Sequence, residues 1–495
     1  MSKADRARVK SCAGVDGLAR SCGRPFFPWW RGLGLVALAG FFAVSAPAAP
    51  QAQTLTQALA DAYNTNPQLL AQRALLRATD EQVPQALANW RPTVNFTGQV
   101  GGTRSAVTSQ GLQMLSRNGA SLTNYSTFYS NTLNLAATQQ IYSGGRTAAQ
   151  TSQAINLVES ARAQTMAVET SVIQAVAMAY HDVVRDQDLL EVNRNNVAVL
   201  RKQLEATQDR FRVGEVTRTD VAQAEASLAQ AVGLLVTAQG NLEISREEYV
   251  RAVGHPPGTL MLPRDRPTLP ATGEEATSLA ANNNFTVISA NFAELAARDS
   301  VDFVRGQLLP QISLVGTLNR SFAPSVSLNG SLEQSAAIVA QMTMPLYEGG
   351  AIYSQTRQAQ QTVGQRRSQV DDARRAAVQL ATQSWSTLQA ARASISSFAS
   401  AVRAAQIALE GTQQEALVGT RTVLDVLIQN QTLLTTQSQL VTAEHDAALA
   451  EFNVAAATGR LIAPELKLPV KLYDMERHFK QVRDKWIGFR GGLSE

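Results

Sequence analysis

The residues of this 495-residue chain that have the types for chemistry are few and far apart. Four histidines, His181, His255, His445 and His478, form no HExxH pair and no other metal-ligand spacing. No GxSxG elbow marks a nucleophile, and no GxxxxGKS/T loop marks a nucleotide site. The pairs Gly144-Gly145 and Gly349-Gly350 lack the further glycines and the Lys-Ser/Thr that would cradle a phosphate. The chain is therefore expected to catalyse nothing and to use no cofactor or metal. More informative are two helix–helix turns, Arg212 to Val221 and Val418 to Val426. Gly214 and Gly419 can end one helix with positive φ, and the Thr-rich stretches with Asp220 and Asp425 can cap the next. Capping alone is the plainer role. If several copies gather these turns at one end of a tube, a ring of Asp425 carboxylates would face the axis and favour cations.

The elements that must position these turns are written twice. Asn66-Pro67 and Pro92 match Asn284-Phe285 and Pro310 at an offset of 218. The offset then becomes 205: Tyr142-Ser143-Gly144-Gly145 pairs with Tyr347-Glu348-Gly349-Gly350, Val213-Gly214 with Val418-Gly419, Asp220-Val221 with Asp425-Val426, and Gly254 with Gly459. The change of 13 residues falls between Pro92 and Tyr142, so one duplicated unit has one lengthened loop. Each unit reads as helix, two strands, very long helix, tight turn and long helix. Neither Gly nor Pro occurs from Arg146 to Val213. Val176, Val183, Leu190, Val197, Leu204 and Phe211 recur every seven residues, and Val221, Leu228, Leu235, Leu242 and Tyr249 repeat the spacing after the turn. The second unit keeps the register at Leu388, Ile395, Val402 and Leu409, then at Val426, Leu433, Leu440 and Val454. Heptads over this length predict supercoiled helices. Ala224, Ala231 and Ala238 would let neighbours approach closely.

Between Pro92 and Tyr142 the period becomes two. Val94, Phe96, Gly98 and Val100 alternate with Thr93, Asn95, Thr97 and Gln99, and three further segments behave alike. Each alternating stretch is about ten residues, near the ~9–11 of a tilted membrane strand. Pro92 and Pro310 suit helix-to-strand switches, and the Gly pairs suit the return bends. Four strands cannot close a barrel, and open edges are forbidden in lipid. Copies of the chain must then share one, with 8, 12 or 16 strands for two, three or four copies.

The N-terminus is an address. Residues 1–52 carry seven Lys/Arg against two Asp, a net of +5, followed by an apolar core from Leu33 to Val44 and small residues. That pattern describes a secretory signal peptide. The overall charge of +4 thus leaves the remainder, 37 basic and 38 acidic residues, at −1. The charge offers no case for nucleic acid. Cys12 and Cys22 both lie in the signal, and no Cys follows its apolar core for lipid attachment. With charged residues at 17%, apolar residues at 45% and no apolar run of the ~20 residues that a spanning helix needs, the chain is neither disordered nor a polytopic helical membrane protein. The expected segments are a signal at 1–52, a first-repeat helix at 53–91, a transmembrane hairpin with its extracellular loop at 92–142, and a helical hairpin at 143–253. A linker at 254–272 leads to a helix at 273–309, a second transmembrane hairpin at 310–346 and a second helical hairpin at 347–459. A periplasmic tail at 460–495 has no place in the repeat.

The duplicated unit, the Tyr-Ser-Gly-Gly and Tyr-Glu-Gly-Gly junctions and Val-Gly-Thr-Arg-Thr-Val-Leu-Asp-Val-Leu at 418–427 resemble the TolC family of outer membrane efflux and type I secretion channels, over roughly residues 54–462. The resemblance implies a mixed α and transmembrane β fold. It implies a homotrimer whose 12-stranded barrel, set in outer membrane lipid of a Gram-negative bacterium, continues into a periplasmic α-helical barrel. It implies a periplasmic adaptor and an inner-membrane ABC or RND-type transporter, meeting the tips at Gly214, Glu215, Gly419 and Thr420. Arg421 matches the arginine that ties neighbouring helices at the closed end, Asp220 its acidic partner, and Asp425 the aspartate of the entrance. Two positions depart from the pattern, Ala416 where tyrosine is common and Ile428 where a second carboxylate is common. The implied duct is passive and carries drugs or secreted polypeptides. The other reading open to the residues is a periplasmic coiled coil of adaptor type without a pore.

Overall fold

The computed structural model describes residues 53–108, 123–261, 263, 266–325 and 328–489. The expected signal, both cysteines and the loop 109–122 lie outside these residues.

The first repeat opens with three short helices, α1 (Leu55–Thr65), α2 (Pro67–Asp80) and α3 (Gln82–Leu87). The second opens with two, α6 (Gly273–Asn283) and α7 (Phe285–Arg305). The single helix expected at each place is thus broken, and the break falls on the repeat marker itself. Asn66 and Asn284 end one helix and accept backbone N–H bonds of the next through their side-chain oxygens. Their amide nitrogens donate to the last turn of the return helix, Asn66 Nδ2 to Ala252 O at 3.2 Å and Asn284 Nδ2 to Ala457 O at 3.1 Å. An N-cap needs non-helical φ/ψ, so a heptad pattern cannot reveal this interruption.

Four strands follow the short helices in pairs: β1 (Thr93–Thr108) with β2 (Thr123–Tyr142), and β3 (Gln311–Ser325) with β4 (Leu328–Thr343). They form one antiparallel sheet in the order β1-β2-β3-β4, so the repeats join where β2 pairs with β3, Leu135 opposite Leu318. Within the chain β1 and β4 are the edges. The register collects Val94, Phe96, Leu133, Leu135, Leu314, Leu318, Ile338 and Met342 on one face, and Asn95, Thr97, Asn134, Thr317 and Gln341 on the other. The apolar face is solvent-exposed in the single chain, Phe96 by 70% and Ile338 by 79%. At 15 to 20 residues the strands exceed the ten or so expected from alternation. The ladder runs on through polar positions such as Arg104 opposite Thr127, where backbone bonding persists after the apolar rhythm has ended.

Each sheet pair leads into a helical hairpin: α4 (Arg146–Arg212) with α5 (Arg218–Val253), and α8 (Ala351–Leu417) with α9 (Val423–Ala457). At 67 residues each, α4 and α8 extend about 100 Å. The heptad seam is buried at Val176, Val183, Leu190 and Val197, with Ala224, Ala231 and Ala238 opposite, and it becomes exposed by Phe211 near the turn. The largest apolar cluster joins α1 to α4, α5 and α9 around Tyr180 and Tyr249. Among the described helices α5 alone is apolar enough on average to cross a membrane, but α4 packs along it and its buried alanines face that partner. A final helix, α10 (Met475–Val482), packs against α2.

Candidate functional site

The two turns share a backbone plan. Gly214 at φ +83° and Gly419 at φ +81° follow the last helical turn. Their N–H groups donate to Phe211 O and Ala416 O, and the next residues, Glu215 and Thr420, donate to Arg210 O and Glu415 O at 2.9 and 3.0 Å. This pair of bonds satisfies the last carbonyls of each long helix and requires a left-handed residue, which glycine supplies without strain.

The return helices begin with matching capping boxes. Thr217 N and Oγ1 donate to Asp220 Oδ2 at 2.8 and 2.7 Å, and Asp220 N donates back to Thr217 Oγ1 at 3.3 Å. Thr422 and Asp425 repeat the set at 2.9, 2.8 and 3.2 Å. The hydroxyl and then the N–H of Thr217 hold the Asp220 carboxyl below its ordinary value. The N–H and then the hydroxyl of Thr422 do the same for Asp425. Both carboxylates are therefore ionised at neutral pH, and each is a cap whatever else it does.

Around this common frame the side chains differ. In the first turn Arg210 Nε pairs with Glu215 at 3.0 Å. In the second, Arg421 Nε pairs with Glu415 at 2.9 Å, both side chains about half exposed. Arg421 and Asp220 are not brought together within the chain: Asp220 is engaged by Thr217, and Arg421 by Glu415. Glu415 escaped the sequence reading. It stands at the place of Arg210 under the offset of 205, and that reversal of charge was a visible signal for it. Ala416 is buried against Val426, whereas Ile428 is exposed. Val213 and Val418, beside the glycines, are exposed by 72% and 76%.

At the other end of the long helices, Pro92 and Pro310 immediately precede β1 and β3. Gly145 and Gly350 are the N-caps of α4 and α8. Gly144 and Gly349 precede them, and a Cβ on Gly144 would meet Gly306 O at 2.4 Å. These residues stand where each strand pair meets its helices.

Sequence comparison decides what this architecture is. Residues 58–255 and 276–460 match the outer membrane efflux protein family. The chain belongs to that family. Outer membrane efflux protein BepC of Brucella suis biovar 1 is 33% identical over 440 residues, which span 88% of this chain and 92% of BepC. Outer membrane protein TolC of Escherichia coli K12 is 26% identical over 447 residues, 87% of this chain and 86% of TolC. In fold, the CmeC outer membrane channel of Campylobacter jejuni superposes with a TM-score of 0.70 at 16% identity, covering 87% of this chain and 89% of CmeC. VceC of Vibrio cholerae gives 0.66 at 20% identity, covering 82% and 96%. This efflux protein is therefore an outer-membrane channel component, and the pore-less coiled coil is set aside.

Proposed function

We propose that three copies of this efflux protein close a 12-stranded barrel and continue it as a helical tube, forming a passive exit duct across the periplasm and outer membrane. The observation that supports the reading is the sheet: four strands with one apolar exposed face and two edges, β1 and β4, left unpaired within the chain. An open edge in hydrocarbon leaves backbone groups unsatisfied at several kcal/mol each, so the edges must pair with other copies. The duct catalyses nothing, and its energy comes from an inner-membrane ABC or RND-type transporter. A periplasmic adaptor docks at the turns, where exposed Val213 and Val418 flank Gly214, Glu215, Gly419 and Thr420. Asp425 rings the entrance. At the closed end Arg421 reaches Asp220 of a neighbouring copy, and on opening it returns to Glu415 of its own chain.

The test is cysteine cross-linking in a Cys12→Ser, Cys22→Ser background. Pairs of cysteines, one on β1 and one on β4 of the same chain, are scanned to find the register between copies. The expected result is β1-to-β4 cross-links between copies, in a covalent ladder that ends at three. A ladder ending at two or four replaces the trimer, and the absence of cross-links in every register overturns the shared barrel.

A further inference from the structure

The tail beyond the second repeat has a defined path. Tyr473 N donates to Tyr63 Oη at 3.1 Å, and the buried Arg73 guanidinium lies over both tyrosine rings, at 4.4 Å from Tyr63 and 5.0 Å from Tyr473. On α10, His478 Nδ1 sits 3.0 Å from Asp80 Oδ2, and Phe479 packs on the apolar cluster of Val83, Ala86, Ala154 and Val158. The chain thus climbs α1, α2 and α3 towards the sheet. It reaches the base of β1: Arg91 Nη1 donates to Lys485 O at 2.6 Å, and the same guanidinium lies 4.9 Å from the Trp486 ring centroid. Arg91 is two residues from the first residue of β1. Trp90, on the other side of Arg91, is held by Gln139 of β2, whose Nε2 donates to its carbonyl at 2.8 Å.

What the tail presents there is apolar and left uncovered by the other described residues. Trp486 is 67% exposed, Ile487 91% exposed and Phe489 fully exposed, beside the half-exposed Trp90. A soluble surface gains nothing from such a cluster, and the effort spent in pinning it is considerable: three cation–π contacts, of Arg73 with Tyr473, Arg91 with Trp486 and Arg162 with Phe479, a buried carboxylate and a charge-assisted hydrogen bond to a backbone carbonyl. Arg91, the residue that pins the cluster, lies three residues before Val94, where the apolar face of β1 begins. Tryptophan has an apolar body with one N–H and favours the level of lipid headgroups. Arg483 and Lys485, with Asp484 between them, leave a net charge of +1 beside Trp486 in sequence, a sign suited to phosphate.

We propose that residues 485–489 are a membrane-interface anchor, in which Trp486, Ile487 and Phe489 enter the periplasmic leaflet of the outer membrane and take phospholipid as their partner. The inference rests on the reading that the strands span that membrane. A tail outside the repeat then fixes the height of the barrel in the bilayer, with Trp90 as its companion in the strand base.

The test uses the full chain in the Cys12→Ser, Cys22→Ser background, purified and reconstituted into phosphatidylethanolamine/phosphatidylglycerol vesicles. An environment-sensitive fluorophore is attached at Ile487→Cys, and, as a separate sample, at Val100→Cys on the apolar face of β1. Quenching is read with lipids that carry a nitroxide near the headgroup or deep in the acyl chain, and with aqueous iodide. The Ile487→Cys probe is expected to be quenched by the shallow nitroxide and to lose most iodide quenching, while Val100→Cys responds to the deep nitroxide. An Ile487→Cys probe open to iodide and untouched by lipid overturns the anchor. A probe shielded from both has a protein neighbour, a second copy included, and overturns it equally. Failure of Val100→Cys to meet any lipid quencher overturns instead the membrane-spanning sheet on which the anchor depends.

Discussion

The turn around Gly214 and the turn around Gly419 lie 205 residues apart and use the same glycine geometry and the same Thr-x-x-Asp cap, yet they carry opposite charge at one matching place. Arg210 of the first corresponds to Glu415 of the second, and each finds a partner across its own turn. The position two after the glycine differs more. In the first turn it is Val216, packed on an apolar cluster of Val197, Leu200, Ala231, Val423 and Leu427 that draws on both repeats. In the second it is Arg421, exposed at the tip. Helix termination and restart thus demand the glycine and the cap and leave these side chains free. Duplication allowed one turn to become a plug between hairpins and the other to present a cation.

Exchanging the two residues should break the comparison most severely. Val216→Arg forces a charge into the shared apolar cluster, and a loss of about 1–3 kcal/mol is expected by analogy with overpacked sites, read from thermal or denaturant unfolding. Arg421→Val should change unfolding little, because only a half-exposed ion pair with Glu415 is lost. Equal effects at the two sites would mean that the tips are not differentiated. Next in size is a functional change: Arg421→Ser is expected to raise resting conductance in planar bilayers severalfold, and Arg210→Ser to leave it near the parent value. An unaltered Arg421→Ser channel would count against the latch.

The shared frame predicts equal responses. Thr217→Ala and Thr422→Ala should each lower local stability by about 1 kcal/mol, measured as faster amide exchange over the first turns of α5 and α9. A loss at one turn alone would refute the common plan. The pH response is smaller and has a definite sign. Asp220 and Asp425 have folded pKa values below the ordinary 3.8, so their contribution is fully present above that value and is lost as pH falls through the folded pKa. Exchange protection at both turns should therefore hold steady from neutral pH down to about 5, and decline only in strong acid.

The long helices and the duplication were legible because their signals are periodic or repeated. Val176 to Val197 and Ala224 to Ala238 are buried as their spacing implies. The caps were legible too, since Thr-x-x-Asp after glycine is a local pattern. Contacts distant in sequence were not. The bond that Asn430 Nδ2 donates to Asn196 Oδ1, at 2.7 Å between α9 and α4, joins two buried polar residues that a heptad count passes over. Glu169 accepts from Ala463 N, which ties the second repeat's exit to the first repeat's long helix. Strand ends were under-read, because backbone pairing continues where alternation stops. The tail was unreadable for a similar reason: its partners, Tyr63, Asp80 and Arg91, are some 400 residues away.

The central claim is that the second turn, and not the first, faces the conducting path at the periplasmic entrance. Single-channel reversal potentials under a salt gradient test it directly, with the parent protein, Asp425→Ala and Asp220→Ala compared in the same bilayer. Loss of cation preference in Asp425→Ala, with Asp220→Ala close to the parent, is the predicted result. Unchanged selectivity in Asp425→Ala, or a larger loss in Asp220→Ala, would contradict the account.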